Sequence, residues 1–197
     1  MPYSEGDCGP IYGFQWRHFG AEYINCHADY KGQGVDQLKY IENLLKTDKY
    51  SRRIYLTAWN PMNLDQMCLP PCHLSCQFHV ETDSNGIDHL SCQMYQRSAD
   101  MFLGEPWNIF SYSVLTYILA KKHNMKPKKL SICIGDAHIY ADHIEQVKSQ
   151  LSRQSLMLPI LEIDDSVTNK SWEDIVIGDF NLIGYQHHQP ISGKMSV

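Results

Sequence analysis

The apolar positions change period along the chain, and the changes divide it into elements. Val35, Leu38, Ile41, Leu44 and Leu45 recur at steps of three and four, which predicts an amphipathic helix over 35–45. A short apolar strand over 54–59 follows, ended by Asn60-Pro61. Residues 71–80 and 87–96 read as paired strands. Asp83-Ser84-Asn85-Gly86 lies between them, and Asn-Gly is a strong hairpin signal. Residues 99–108 read as a connecting loop, with Asn108 placed as the N-cap of the next helix. That helix, 109–123, is apolar nearly all round, so it is predicted to be central and buried. Beyond it come a strand over 130–134, an amphipathic helix over 142–153 and a short strand over 159–163. One helical turn at 172–175, a last strand over 177–183 and a polar tail over 185–197 complete the chain. Upstream, residues 6–17 pass from a Gly/Pro turn into aromatics whose default place is the core, and 26–34 form a polar, Gly-rich loop. Strands and helices are segregated more than they alternate. That predicts an α+β fold, a large sheet covered by one long helix.

Composition narrows the options. The 197 residues suit a single domain spanning 1–197. A hydrophobic share of 43% and a charged share of 20% are ordinary for a globular chain. The net charge of −5 argues against a general nucleic-acid binder, so an anionic ligand would need a local arginine cluster. Seven cysteines is an odd number, with no Cys-x-x-Cys pair. Cys68, Cys72 and Cys76 are four apart, but Pro70 and Pro71 exclude one helical face. Reduced cytosolic thiols are therefore expected, rather than a disulfide framework or a metal site. No apolar run approaches membrane-spanning length, and the first residues do not read as a signal peptide. A soluble, cytoplasmic protein with no membrane partner is the expectation.

The candidate chemistry centres on Leu69-Pro70-Pro71-Cys72-His73. Two prolines fix the backbone directly before a cysteine, and Arg97 returns on the next strand. A guanidinium beside a thiol favours its charged form. A cysteine among apolar residues is more often a small buried hydrophobe, and the local sequence leaves both readings open. The adjacent Arg52 and Arg53 are either a solvated pair or an anion clamp.

Taken together, these stretches resemble a known family. The run Cys8-Gly9-Pro10-Ile11-Tyr12-Gly13-Phe14-Gln15-Trp16-Arg17-His18-Phe19-Gly20-Ala21 is similar to thymidylate synthases. So are Gly32-Gln33-Gly34-Val35-Asp36-Gln37-Leu38, Arg52-Arg53, Trp59-Asn60-Pro61 and residues 69–73. Tyr95-Gln96-Arg97-Ser98-Ala99-Asp100, Leu103-Gly104, Pro106, Asn108-Ile109 and Gly135-Asp136-Ala137-His138-Ile139-Tyr140 extend the match over nearly the whole chain. The stretch 32–38 resembles the eukaryotic and DNA-virus branch.

The resemblance implies a thymidylate synthase-type fold: a large mixed β-sheet with a long buried helix, the sheets packing in a homodimer. It implies the conversion of dUMP and 5,10-methylenetetrahydrofolate to dTMP and dihydrofolate, with no metal. Cys72 would add to C6 of the uracil, with Arg97, Tyr12, Asp100 and Asn108 as further catalytic residues. Arg97 and Ser98 would hold the dUMP phosphate, joined across the dimer by Arg52 and Arg53. Asn108 would pair with the uracil edge; the related deoxycytidylate hydroxymethylases carry aspartate there. His138 and Tyr140 would meet the ribose 3′-hydroxyl, with Tyr185 a further ribose contact. Gln96 would belong to the dUMP site, His73 would be a second-tier site residue beside it, and Asp100 would face nucleotide and folate alike. Gly104 and Val197 would complete the folate site, Val197 as a closing lid.

The resemblance also implies roughly a third of a family chain ahead of this one, beside a normal single-domain length. That part would carry the first helix and strand, a phosphate-binding arginine loop, a glutamate that organises water, and tryptophans lining the folate site. The chain thus reads as N-terminally truncated relative to the family. An impaired homologue, acting as a dimer partner or binding its own messenger RNA, is the alternative. His187 and Gln189 stand where the family shows prolines, Trp107 where it shows phenylalanine and His79 where it shows tyrosine.

Overall fold

The computed structural model describes residues 3–196, and the Asn85-Gly86 turn organises its sheet. Gly86 sits at φ +78°, a left-handed conformation that favours glycine. The Asp83 N–H donates to the Ile87 carbonyl at 2.9 Å, and Asp83 Oδ1 accepts the N–H groups of Asn85 and Ile87, each at 2.9 Å. In chain order the elements are α1 (Tyr12–His18), α2 (Gln37–Thr47), β1 (Tyr55–Thr57), β2 (His73–Thr82), β3 (Asp88–Asp100), α3 (Glu105–Lys122), β4 (Lys126–His138), α4 (Ile144–Leu151), β5 (Ile160–Ile163) and β6 (Phe180–Ile183). Strands β1 to β4 lie side by side in that order. The β1–β2 and β2–β3 pairs are antiparallel, whereas β3–β4 is parallel, so the sheet is mixed. A parallel pair needs a long crossover, and α3 supplies it. Strands β5 and β6 form a separate antiparallel pair.

Period-two alternation sends Cys76, Phe78 and Val80 of β2 and Leu90, Cys92 and Met94 of β3 to one face. There they pack against Leu38, Ile41 and Leu45 of α2 and Tyr112, Leu115 and Leu119 of α3. The opposite face leaves Tyr55, Gln77, His79, Gln93 and Tyr95 exposed. No helix among the described residues is long and apolar enough to cross a membrane.

The α+β architecture holds, but several expected boundaries do not. Helix α3 starts at Glu105, with Gly104 as its N-cap and Pro106 in its first turn, because a proline there gives up no intrahelical bond. Asn108 is therefore not the N-cap: it lies inside the helix, its N–H donating to the Gly104 carbonyl at 3.2 Å. Nor is α3 buried all round. Trp107 is 70% exposed, and Ile109, Phe110 and Tyr117 are exposed with it. Strand β4 is longer than 130–134: lysines at 126, 128 and 129 break the apolar pattern, and the ladder with β3 runs past them with one register shift that leaves Lys128 unpaired. Helix α1 stands where only a turn and aromatics were expected. Residues Ile177–Asp179 form a 3-10 turn, so the last strand begins at Phe180.

A buried amide cluster fixes α1 on this framework. Gln15, fully buried, donates through Nε2 to the Pro10 carbonyl at 2.9 Å and to Asn63 Oδ1 at 3.2 Å. Asn60 Nδ2 donates to Gln15 Oε1 at 3.1 Å and to Asn63 Oδ1 at 2.7 Å. Gln37 Nε2 donates to the Gln15 and Thr57 carbonyls, both at 2.8 Å, while its Oε1 accepts the Thr57 N–H at 3.0 Å. One helical turn from Gln15, α1 carries Tyr12. A Gln15→Met variant keeps the volume but leaves buried partners unpaired, so it should lose about 1–3 kcal/mol of stability, checked by urea unfolding.

Candidate active site

Because prolines lack an N–H, the segment before Cys72 presents carbonyls, and Arg97 occupies them. Arg97 Nε donates to the Pro71 carbonyl and Nη2 to the Pro70 carbonyl, both at 3.2 Å. The same Nη2 lies 3.8 Å from Cys72 Sγ, and the Arg97 N–H donates to the Cys72 carbonyl at 2.7 Å. The guanidinium is thereby locked beside a partly buried thiol. Its Nη1 group has no acceptor among the described residues and is free to bind an anion.

A ring stack covers the other side. The Cys72 N–H donates to Tyr12 Oη at 2.9 Å. The Tyr12 ring lies on His73 with centroids 4.0 Å apart and planes 15° apart. His73 Nδ1 is 2.9 Å from Tyr112 Oη. Burial pushes the His73 pKa down to about 4 and those of Tyr12 and Tyr112 up. At neutral pH the imidazole is uncharged, and Nδ1 and the Tyr112 hydroxyl share one hydrogen bond. Sequence reading missed Tyr112; its only signal is a hydroxyl within an apolar helix.

The β3–α3 junction supplies a third group. Gln96, 1% exposed, donates from Nε2 to Asn108 Oδ1 at 3.0 Å and to the Ser98 carbonyl at 3.1 Å. That sets which way the Asn108 amide faces: Oδ1 toward Gln96, Nδ2 as the outward donor. Asp100 Oδ1 accepts the N–H groups of Phe102 at 3.0 Å and Leu103 at 3.3 Å, closing the turn into α3. A Cβ on Gly104 would come within 3.2 Å of the Asp100 carbonyl oxygen, so the chain passes tightly there. Glu105, also missed from sequence, is buried, and burial raises its pKa while Gln96 opposes the rise. Glu105 Oε2 and Gln96 Oε1 have no hydrogen-bond partner among the described residues.

Parallel pairing of β3 with β4 sets Asp100 opposite His138 and Ser98 opposite Asp136. His138 Nδ1 lies 3.0 Å from Asp136 Oδ1, and its ring meets Tyr140 edge-on at 5.1 Å. The structure thus gathers Cys72, Arg97, Tyr12, His73, Gln96, Ser98, Asp100, Gly104, Asn108, His138 and Tyr140 at one end of the sheet. Arg52 and Arg53 are not among them. Both are exposed in the turn before β1. Tyr55 pairs with Gln77, five residues along β2 from Cys72, a separation of about 16 Å at strand rise. Tyr185 is exposed on the tail, and Val197 lies outside the described residues. Among the described residues, no cluster of three or more His, Cys, Asp or Glu is placed to hold a metal. Neither a cleft of about 880 Å³ lined by Arg17, Tyr30, Asp36 and Trp172 nor one of about 660 Å³ between α3 and β5–β6 contains any of these groups, so the Cys72 constellation, not cleft size, locates the site.

The family model described as thymidylate synthase matches residues 2–197. A bifunctional dihydrofolate reductase-thymidylate synthase of Zea mays is 52% identical over 194 residues, covering 98% of this chain and 36% of that protein. The thymidylate synthase of human herpesvirus 8 type P is 52% identical over 193 residues, covering 98% of this chain and 55% of its own. That of Saccharomyces cerevisiae is 49% identical over 196 residues, with coverages of 98% and 64%. The chain therefore spans between a third and two thirds of the length of these relatives.

His73 makes a pH prediction. Its folded pKa of about 4 lies below the unfolded value of about 6.5. Between these values the unfolded chain takes up a proton that the folded chain refuses, so stability falls as pH drops through the window. From pH 7 to pH 5 the wild type should lose about 2 kcal/mol more than a His73→Phe variant. Urea titrations at the two pH values measure the difference, and parallel slopes would contradict the assignment.

Proposed function

The chain belongs to the thymidylate synthase family, and on that premise we propose that it serves the reductive methylation of dUMP to dTMP. The co-substrate is 5,10-methylenetetrahydrofolate, which supplies both the one-carbon unit and the hydride and leaves as dihydrofolate. The observation that carries this reading is the Cys72 thiol 3.8 Å from the Arg97 guanidinium. A guanidinium at that distance offers the sulfur a charged donor.

The Cys72 thiolate adds to C6 of the uracil, and the C5–C6 electron pair moves onto C5, which becomes the carbon nucleophile. C5 bonds to the one-carbon unit; it then gives its proton to water as the bond from that carbon to the folate nitrogen breaks, leaving a methylene group on C5. Hydride from the released tetrahydrofolate reaches the methylene carbon as the C6–S bond breaks, giving the methyl group of dTMP, dihydrofolate and the Cys72 thiolate. Asn108, its Oδ1 held by Gln96, presents Nδ2 to the uracil edge. The free Nη1 of Arg97 and the Ser98 hydroxyl bind the phosphate, while His138 and Tyr140 take the ribose. Asp100 and Gly104 shape the folate side.

Arg52 and Arg53 complete the phosphate site from a second copy. The outer sheet face, with Tyr55 and Tyr95 exposed, supports an isologous homodimer in which each arginine pair reaches the partner. A cytoplasmic setting, in keeping with the unpaired cysteine count, belongs to the same proposal. The rival of a non-catalytic partner or messenger-RNA binder is not favoured. The thiol–guanidinium pair is retained, and a net charge of −5 opposes binding to a polyanion.

The test is covalent capture. Incubated with 5-fluoro-dUMP and methylenetetrahydrofolate, the protein should give a denaturation-stable adduct on Cys72 by mass spectrometry, absent in Cys72→Ser. An adduct that survives that substitution removes Cys72 as nucleophile. Asn108→Asp should weaken dUMP binding by about 10–100-fold, as expected for a mispaired buried polar group.

A further inference from the structure

Two thiols outside the Cys72 site face one another. Cys8 stands four residues before Tyr12, and Cys68 stands four before Cys72. The Cys68 N–H donates to the Cys8 carbonyl at 3.0 Å. Next to it, Gly9 adopts φ +75°, and a Cβ there would sit 2.1 Å from the Gln66 carbonyl oxygen. The two segments therefore run in backbone contact. The backbone hydrogen bond joins residues 8 and 68 directly, and a disulfide spans Cα atoms about 4.4–6.8 Å apart. The side chains share one side: burial first, and then the adjoining Cys8 sulfur, raise the pKa of the Cys68 thiol. Both residues are exposed to solvent, whereas Cys76 and Cys92 are buried.

We propose that Cys8 and Cys68 form a redox modification site at which a low-molecular-weight disulfide, such as oxidised glutathione, installs an intramolecular bond. The thiolate of one cysteine attacks the glutathione disulfide, and one glutathione leaves as thiolate. The second cysteine, deprotonated, attacks the protein-side sulfur of the mixed disulfide and expels the other glutathione. Two protein thiols are oxidised and one glutathione disulfide is reduced to two thiols. The attack requires thiolate, so the exchange speeds up as pH rises. The bond ties the segment that carries Tyr12 to the segment that carries Cys72, at the base of their hydrogen bond, without consuming Cys72. This inference is independent of the activity proposed above.

The experiment is treatment of the full chain with oxidised glutathione, followed by intact-mass measurement, peptide mapping and thermal unfolding. The expected product has lost two hydrogens, links Cys8 to Cys68, reverts with dithiothreitol, and still alkylates at Cys72. Its Tm should rise by about 5 °C or more. Cys8→Ser and Cys68→Ser should each retain one glutathione on the surviving partner and show no rise. Should either variant misfold, the wild-type map alone decides. Glutathione retained on both cysteines, a bond from Cys8 to Cys26, a bond involving Cys72, or no reaction would each overturn the proposal. Cys26 is the relevant competitor, since its N–H donates to Asp7 Oδ2 at 3.0 Å, beside Cys8.

Discussion

The site depends on where one guanidinium is held. Arg97 is fixed by two carbonyls that exist as free acceptors because consecutive prolines keep residues 70 and 71 out of a regular ladder. Only two of its nitrogens are used that way, so the cation stays close to Cys72 Sγ with Nη1 still available. A lysine would carry the charge but not the fork that grips two carbonyls and a sulfur together. The charged neighbour of the thiol and the free guanidinium donor are thus one side chain, and the Pro-Pro step makes its placement possible.

The opposite wall of the site is held by uncharged groups. Gln15, Asn60, Asn63 and Gln37 satisfy one another in the interior, and that cluster seats α1 so that Tyr12 meets the Cys72 N–H. A fully satisfied buried network specifies one arrangement, since any slip leaves desolvated donors or acceptors unpaired. The ring stack from Tyr12 through His73 to Tyr112 extends the same logic. Because His73 is kept neutral, Arg97 is the cation beside the thiol. Gln96 in turn fixes which way the Asn108 amide faces, so the outward donor of Asn108 is set by a buried neighbour.

Much of this was legible in the sequence. The hairpin follows from Asn85-Gly86, because turn chemistry is local. Cys72 and Arg97 stood out from the prolines before one and the strand carrying the other. What escaped was tertiary. Gly104-Glu105-Pro106 reads as loop until the rest of α3 is seen to continue from it. The lysines of β4 hide a long strand because an edge tolerates charge. Glu105 and Tyr112 matter only through partners distant in sequence. The apolar girth of α3 overstated its burial, since Trp107 and Phe110 face outward. Arg52 and Arg53 stand exposed in the turn before β1, away from the Cys72 constellation.

The central claim is that the nucleotide site assembles from the residues present in this chain. Isothermal titration of the folded protein with dUMP tests it most directly. The account predicts saturable binding with a dissociation constant on the order of micromolar, about −8 kcal/mol, that weakens sharply in Arg97→Gln. A folded protein that gives no heat with dUMP, or one whose binding is indifferent to Arg97, would contradict it.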